Sequence, residues 1–223
     1  MFGFDKKELD ILSKLNRPSK IQDFIDDLET NFENQGETCM SPKKVLNNNK
    51  AHCMEGAMLA AAALRVNGYP PLVVDMTAYK KDFDHVIAVF KEEGHWGAIS
   101  KTNHAVLKYR DPIFRSVREL VISYFNEYFL NDGNKTLRSY TRPINLSRFD
   151  KFNWMASDED IWFIPEFLAT TKHIELLTRK QIKNLRKSDP IEIEAGKIAD
   201  WNIKNGRTSR NVFKYDKNAV AEI

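Results

Sequence analysis

The stretch Cys53-Met-Glu-Gly-Ala-Met-Leu-Ala-Ala-Ala-Ala-Leu-Arg-Val66 constrains this chain more than any other. It consists almost entirely of Ala, Leu and Met, strong helix formers, and runs into Asn67-Gly68, a pair suited to ending a helix. A surface helix keeps a polar stripe for water. Here small apolar residues occupy nearly every face, so this helix is expected to lie centrally, with the rest of the chain wrapped around it. At 223 residues, 42% hydrophobic and 29% charged, the chain is long and balanced enough to build that wrapping as one globular domain.

The residues after the helix supply a sheet. Beyond the Tyr69-Pro-Pro turn, segments 72–76, 85–90 and 96–100 read as strands. The last two are joined by Lys91-Glu-Glu-Gly-His, which suits a hairpin. The expected fold class is therefore α+β, a buried helix packed on an antiparallel sheet. Ahead of it, helices are predicted over 8–15 and from Ser19, whose hydroxyl caps a helix with Gln22 three residues on. A polar loop over 31–38 and a short helix opened by Ser41-Pro42 complete the approach to Cys53. Downstream, a helix is predicted over 115–129, an irregular aromatic stretch over 139–154, and helices over 158–163 and 166–177 around Pro165. The basic run 179–187 reads as a solvated helix face. The organisation that follows is one domain over 1–223 with its core at about 19–130, an appended helical and irregular segment at 131–201, and a polar tail at 202–223.

Several classes of protein are excluded by what is missing. No apolar run approaches the length of a membrane span, and the opening Met1-Phe-Gly-Phe-Asp-Lys-Lys-Glu lacks an apolar signal core, so a cytoplasmic location without a membrane partner is expected. Two cysteines do not make a disulfide framework, and with the scattered His52, His85, His95, His104 and His173 they offer no metal-ligand spacing. The net charge of +3 comes from interleaved bases and acids, which argues against a nucleic-acid partner. The four tryptophans, Trp96, Trp154, Trp162 and Trp201, are expected in the core or in groove walls. One cysteine is left free for chemistry.

Cys53 is placed for it. A helix N-terminus carries unpaired N–H groups and positive dipole, which favour a thiolate. His85 opens a following strand, where its ring can turn to the helix start and accept the thiol proton. Cysteine at a helix start, an Asn-Gly stop, a strand, a histidine at a strand start and a hairpin form a combination much harder to obtain by accident than either residue alone.

On these residues the chain resembles the transglutaminase-like superfamily, a branch of the papain-like thiol fold. The matching elements are Cys53-Met-Glu-Gly-Ala, then Leu64-Arg-Val-Asn-Gly-Tyr-Pro-Pro-Leu-Val-Val, then Asp84-His85-Val-Ile-Ala-Val-Phe, within 41–103. The run Ala51-His-Cys-Met-Glu-Gly-Ala looks most like that of small bacterial transglutaminase-like proteins. The resemblance implies a papain/transglutaminase-like core, a Cys/His pair and no cofactor. It also implies peptidase, amidase or transglutaminase-type chemistry on a peptide, a protein or a small amide or ester. A third group, usually an aspartate on the strand after the hairpin, fixes the imidazole tautomer in that family. Counting along Trp96-Gly-Ala-Ile-Ser puts Ser100 at its place; Asn103 is chemically better suited but requires a bulge, and Asp111 is more remote. Asn103 is the preferred third residue on chemistry, with Ser100 kept on register. The backbone N–H of Cys53 is the expected oxyanion donor, joined by a group from His52, Lys50 or the Asn47-Asn-Asn loop. His52 is expected to point to solvent, and Glu55 to complement the helix dipole. The alternative is a transglutaminase-like binding or scaffold module without turnover.

Overall fold

The computed structural model describes residues 1–79 and 81–199, so the expectations for Trp201 and for the tail at 202–223 lie outside the described residues. In chain order the elements are α1 (Lys6–Lys14), α2 (Pro18–Asp27), β1 (Glu29–Thr30), α3 (Pro42–Asn48), β2 (Lys50–Ala51), α4 (Cys53–Val66), β3 (Leu72–Ala78), β4 (His85–Glu92), β5 (His95–Ile99) and β6 (Arg110–Phe114). They continue as α5 (Val117–Phe125), β7 (Leu137–Thr141), β8 (Ile144–Asn145), a 3-10 helix (Leu146–Phe152), α6 (Phe163–Thr170), β9 (His173–Glu175), α7 (Arg179–Lys183) and α8 (Pro190–Gly196). The result is a mixed α+β fold around an antiparallel sheet.

That sheet has seven strands in the order β6-β5-β4-β3-β7-β9, with β8 also paired to β3. It separates two cores. Val86, Ala88 and Phe90 of β4 face α4, along with residues of α1, α2, α3 and α6, whereas Ile87 and Val89 face Leu120, Val121 and Tyr124 of α5. Burial on both faces explains why β4 reads as a continuous apolar run rather than an alternating one. The central helix is as enclosed as its composition requires, with every residue from Met54 to Leu64 buried.

The hairpin between β4 and β5 is tighter than the five-residue loop suggested. Glu92 pairs with His95, leaving Glu93 and Gly94 as the turn, both at positive φ (49° and 81°). Two successive left-handed residues make the turn whose twist matches antiparallel strands, and glycine tolerates this backbone without strain. The ladder then runs unbulged to Ala88 opposite Ile99.

Other expectations shift. The helix read from Ser19 begins at Pro18, whose fixed φ suits a first helical position. Gln22, expected to reach back to Ser19, is drawn elsewhere. Residues 158–162 form no helix, Phe163 opens α6, and the helix expected over 166–177 ends at Thr170, where the chain turns into β9. Strand β6 runs through Asp111-Pro112; Pro112 lacks an N–H and is tolerated there because β6 is the sheet edge. Trp154 is fully buried in the core, Trp96 is partly buried on β5, and Trp162 is 39% exposed at the start of α6. No described helix is long and apolar enough to cross a membrane.

Candidate functional site

Cys53 is the first residue of α4 and is partly exposed, while the ten residues that follow Met54 are buried. Four hydrogen bonds to one carboxylate fix the start of this helix. Glu55, fully buried, accepts from Asn31 Nδ2 (3.0 Å) and the His52 N–H (3.0 Å) on one oxygen, and from Thr38 Oγ1 (2.8 Å) and the Met40 N–H (3.0 Å) on the other. This carboxylate ties the 31–40 loop to the turn that carries the thiol, a larger role than complementing the dipole. Gly56, one residue on, leaves room for the chain at Lys101: a Cβ here would stand 2.4 Å from Lys101 Cβ. The strand end bearing Ser100 can therefore lie against the first turn of α4.

His85 opens β4 and is 7% exposed. Its Nε2 lies 2.8 Å from Ser100 Oγ, and Ser100 Oγ in turn donates to the Leu107 carbonyl at 2.6 Å. A hydroxyl has one proton. Because a carbonyl can only accept, Ser100 spends that proton on Leu107 and must accept from His85, so the neutral ring carries its proton on Nε2. Nδ1 is thereby left as a lone pair, and the His85 side chain is one of the groups that lower the Cys53 thiol. Ser100 is itself clamped, because the Gln22 amide accepts from its N–H and donates to its carbonyl, both at 2.9 Å. The loop before His85 is pinned by the Tyr128 hydroxyl on the Phe83 carbonyl and by Asp84 Oδ1, which accepts the Ala78 N–H at 2.7 Å.

The third-residue alternatives are thus placed. Ser100, the register candidate, is the group bonded to His85. Asn103 lies in the bend beyond it without a hydrogen bond to His85, because the tight hairpin has no bulge to carry it inward. Asp111 is exposed on β6. Among the suggested oxyanion groups, the Asn48 amide is committed to Lys44 O at 2.7 Å and Asn49 forms the left-handed end of α3. As the first N–H of α4, that of Cys53 has no intrahelical partner.

His52 does not point to solvent. As N-cap of α4 it accepts the Met54 N–H on Nδ1 (3.2 Å) and directs Nε2 to the Thr38 carbonyl (3.0 Å). Burial alone would push the Cys53 thiol up. Hydrogen bonds from His52 and then His85 overcome it and bring the thiol from its ordinary 9.0 down to about 5. Burial likewise opposes a charged His52, but the bond to Cys53 and the Glu55 charge raise that ring to about 9. The Met54 cap needs Nδ1 bare, so in this arrangement the neutral ring carries its proton on Nε2, which donates to the Thr38 carbonyl.

Two further groups near the thiol were not foreseen. Asp75 on β3 is buried and faces His173 of β9, with Nε2 to Oδ2 at 3.1 Å and Nδ1 to the Thr171 carbonyl at 2.8 Å. Burial raises the Asp75 carboxyl, His173 offsets part of this, and the negative Cys53 adds to it. A lone acid within Leu72-Val-Val-Asp-Met was the available signal; nothing local marks His173. Cys39 is buried and pushed up to about 12, chiefly by burial. Half-buried His95 and exposed His104 contact the Glu93 and Gly196 carbonyls, and among the described residues no three His, Cys, Asp or Glu side chains are grouped to hold a metal. No family model matches the chain, and no curated protein matches it significantly.

Proposed function

We propose that this chain is a cysteine-dependent hydrolase or acyltransferase of the transglutaminase-like superfamily, built on a papain/transglutaminase-like core. The observation that carries the reading is the line from Leu107 O through Ser100 Oγ to His85, which leaves Nδ1 of the imidazole bare to act as a base; the lowering of the Cys53 thiol by that side chain supports it. In the reaction Cys53 sulfur attacks the carbonyl carbon of a peptide, amide or ester, and the first N–H of α4 faces the oxygen as it gains charge. His85 passes the thiol proton to the departing amine or alcohol, leaving an acyl-thioester on Cys53. It then takes a proton from the incoming water or amine, and the thiol is regenerated with hydrolysed or transferred product.

Ser100 is the specific feature that favours the second reading, a module that binds without turnover. An uncharged hydroxyl orients an imidazole but does not stabilise its charged form as a carboxylate would. Intact-mass analysis after exposure to p-nitrophenyl acetate and to a glutamine-containing peptide separates the two. An acyl adduct on Cys53, absent in Cys53→Ser and slowed in His85→Ala, supports the enzyme; binding of peptide with no adduct under any condition favours the module.

A further inference from the structure

The bonds that fix the His85 tautomer end on the Leu107 carbonyl, and Leu107 has an unusual backbone. Its φ is 62°, in the left-handed region that residues other than glycine rarely adopt. A residue persists there only where its surroundings impose the conformation. Two bonds do so here. Ser100 Oγ donates to the Leu107 carbonyl at 2.6 Å, and Glu127 Oε2, just beyond the end of α5, accepts the Leu107 N–H at 3.1 Å. We propose that Glu127 is a positioning residue for the Cys53/His85 reaction, holding Leu107 so that its carbonyl stays on the Ser100 hydroxyl and His85 keeps its proton on Nε2.

Glu127 is itself held. Arg110 Nη2, from β6, donates to the same carboxylate oxygen at 2.5 Å, while Nε donates to the Ser123 hydroxyl at 3.0 Å. Arg110 Nη1 donates to the Lys108 and Tyr109 carbonyls at 3.2 and 3.3 Å, and the guanidinium carbon stands 4.1 Å from the centre of the Tyr124 ring. The Tyr124 hydroxyl also donates to the Lys108 carbonyl, at 3.1 Å. One cation thus ties α5 and the Glu127 carboxylate to the backbone that follows Leu107. With Glu127 35% exposed, this ion pair adds little to overall stability, so removing it separates aim from folding.

The consequence for the imidazole follows from counting protons. With the Leu107 carbonyl in place, Ser100 has an acceptor for its single proton and must accept from His85 Nε2. With that carbonyl swung away, the hydroxyl donates to Nε2 instead, and the neutral ring then carries its proton on Nδ1. The lone pair that acts as a base is lost.

The effect on rate rests on the acyl-transfer reading; the effect on the tautomer does not. The test compares the wild-type chain with Glu127→Ala, Glu127→Gln and Glu127→Asp. Two quantities are read: the 15N spectrum of histidine-labelled protein at a pH where His85 is neutral, and the rate of Cys53 acylation by p-nitrophenyl acetate. Glutamine keeps an oxygen for the Leu107 N–H, alanine removes it, and aspartate keeps the charge but draws the oxygen back by one methylene. In Glu127→Ala a population of His85 protonated on Nδ1 is expected, with acylation slowed about tenfold by the wrong tautomer. Glu127→Gln should keep the proton on Nε2 and stay within about twofold of the wild-type rate, because its amide oxygen is still an acceptor. Glu127→Asp should behave as the alanine variant does, and decides the matter if circular dichroism shows Glu127→Ala unfolded. A proton that stays on Nε2 in both the alanine and aspartate variants overturns the proposal, as does one already on Nδ1 in the wild type. A glutamine variant whose tautomer shifts as far as alanine's also overturns it, since charge and not aim would then be at work. A shifted tautomer in a chain that takes no acyl group from any donor leaves this inference standing and removes the acyl-transfer reading.

Discussion

Replacing Glu55 by glutamine changes one oxygen to an NH2 group while leaving size and shape almost untouched, so its effect isolates the carboxylate. Both oxygens of Glu55 accept two hydrogen bonds, from Asn31 and the His52 N–H on one side and from Thr38 and the Met40 N–H on the other. The new amide can face only one side without placing donor against donor. The milder choice is the Thr38 side, because a hydroxyl can turn and accept, but the buried Met40 N–H is then orphaned. Loss of one charge-assisted bond costs about 1.5–3 kcal/mol, and weakening of the two bonds left on the other oxygen adds to it. We expect a loss of about 3 kcal/mol in urea unfolding, or a fall in Tm of about 10 °C for a chain of this size. Glu55→Ala leaves all the donors without that partner and should cost more. A loss below about 1 kcal/mol, the range of routine surface changes, would refute the role assigned to this carboxylate.

Other outcomes follow from the same geometry. Ser100→Ala removes the acceptor for His85 Nε2 and should slow acylation of Cys53 by p-nitrophenyl acetate by on the order of tenfold to a hundredfold, less than the ~10⁴ of a lost triad carboxylate; an unchanged rate would show the bond to be incidental. Gly56→Ala puts a methyl 2.4 Å from Lys101 Cβ and should cost about 1–3 kcal/mol in urea unfolding, with no loss if the contact is not formed. The Cys53 thiol is lowered to about 5, so its contribution to stability is present above its ordinary 9.0 and is lost as pH falls through about 5. His52 is raised from 6.5 to about 9, so its contribution is complete below 6.5 and is lost as pH rises through about 9. The stability difference between the wild type and Cys53→Ser should therefore narrow at both ends of that window, and a difference independent of pH would argue against the pair.

The parts of this fold that were legible in the sequence are those whose signal is local. Helix α4 announces itself through propensity, uniform apolarity and the Asn67-Gly68 stop, and β3 to β5 through dense Val, Ile and aromatic residues. Strands β6, β7 and β9 were missed because residues such as Arg110, Pro112, Arg138 and His173 carry no strand signal of their own; their pairing comes from distant partners. In the site, Cys53 and His85 were visible through their positions at element starts. The partner of His85 turned on whether the hairpin holds a bulge, and the tight Glu93-Gly94 turn gives Ser100 the place that chemistry alone assigned to Asn103. Gln22 was read as a local cap, whereas its amide clamps the backbone of a residue far along the chain. His52 was misread because a residue beside a nucleophile can face either way, and the choice is made by Thr38 and Met54.

The central claim is that imidazoles hold Cys53 as a thiolate at neutral pH. Far-ultraviolet thiolate absorbance, titrated in the wild type and subtracted from that of Cys53→Ser, measures this directly, because Cys39, pushed up to about 12, stays silent over the range. Half-ionisation of Cys53 near pH 5 is the expected result. Half-ionisation near 9.0, the ordinary value for a cysteine, would contradict the account.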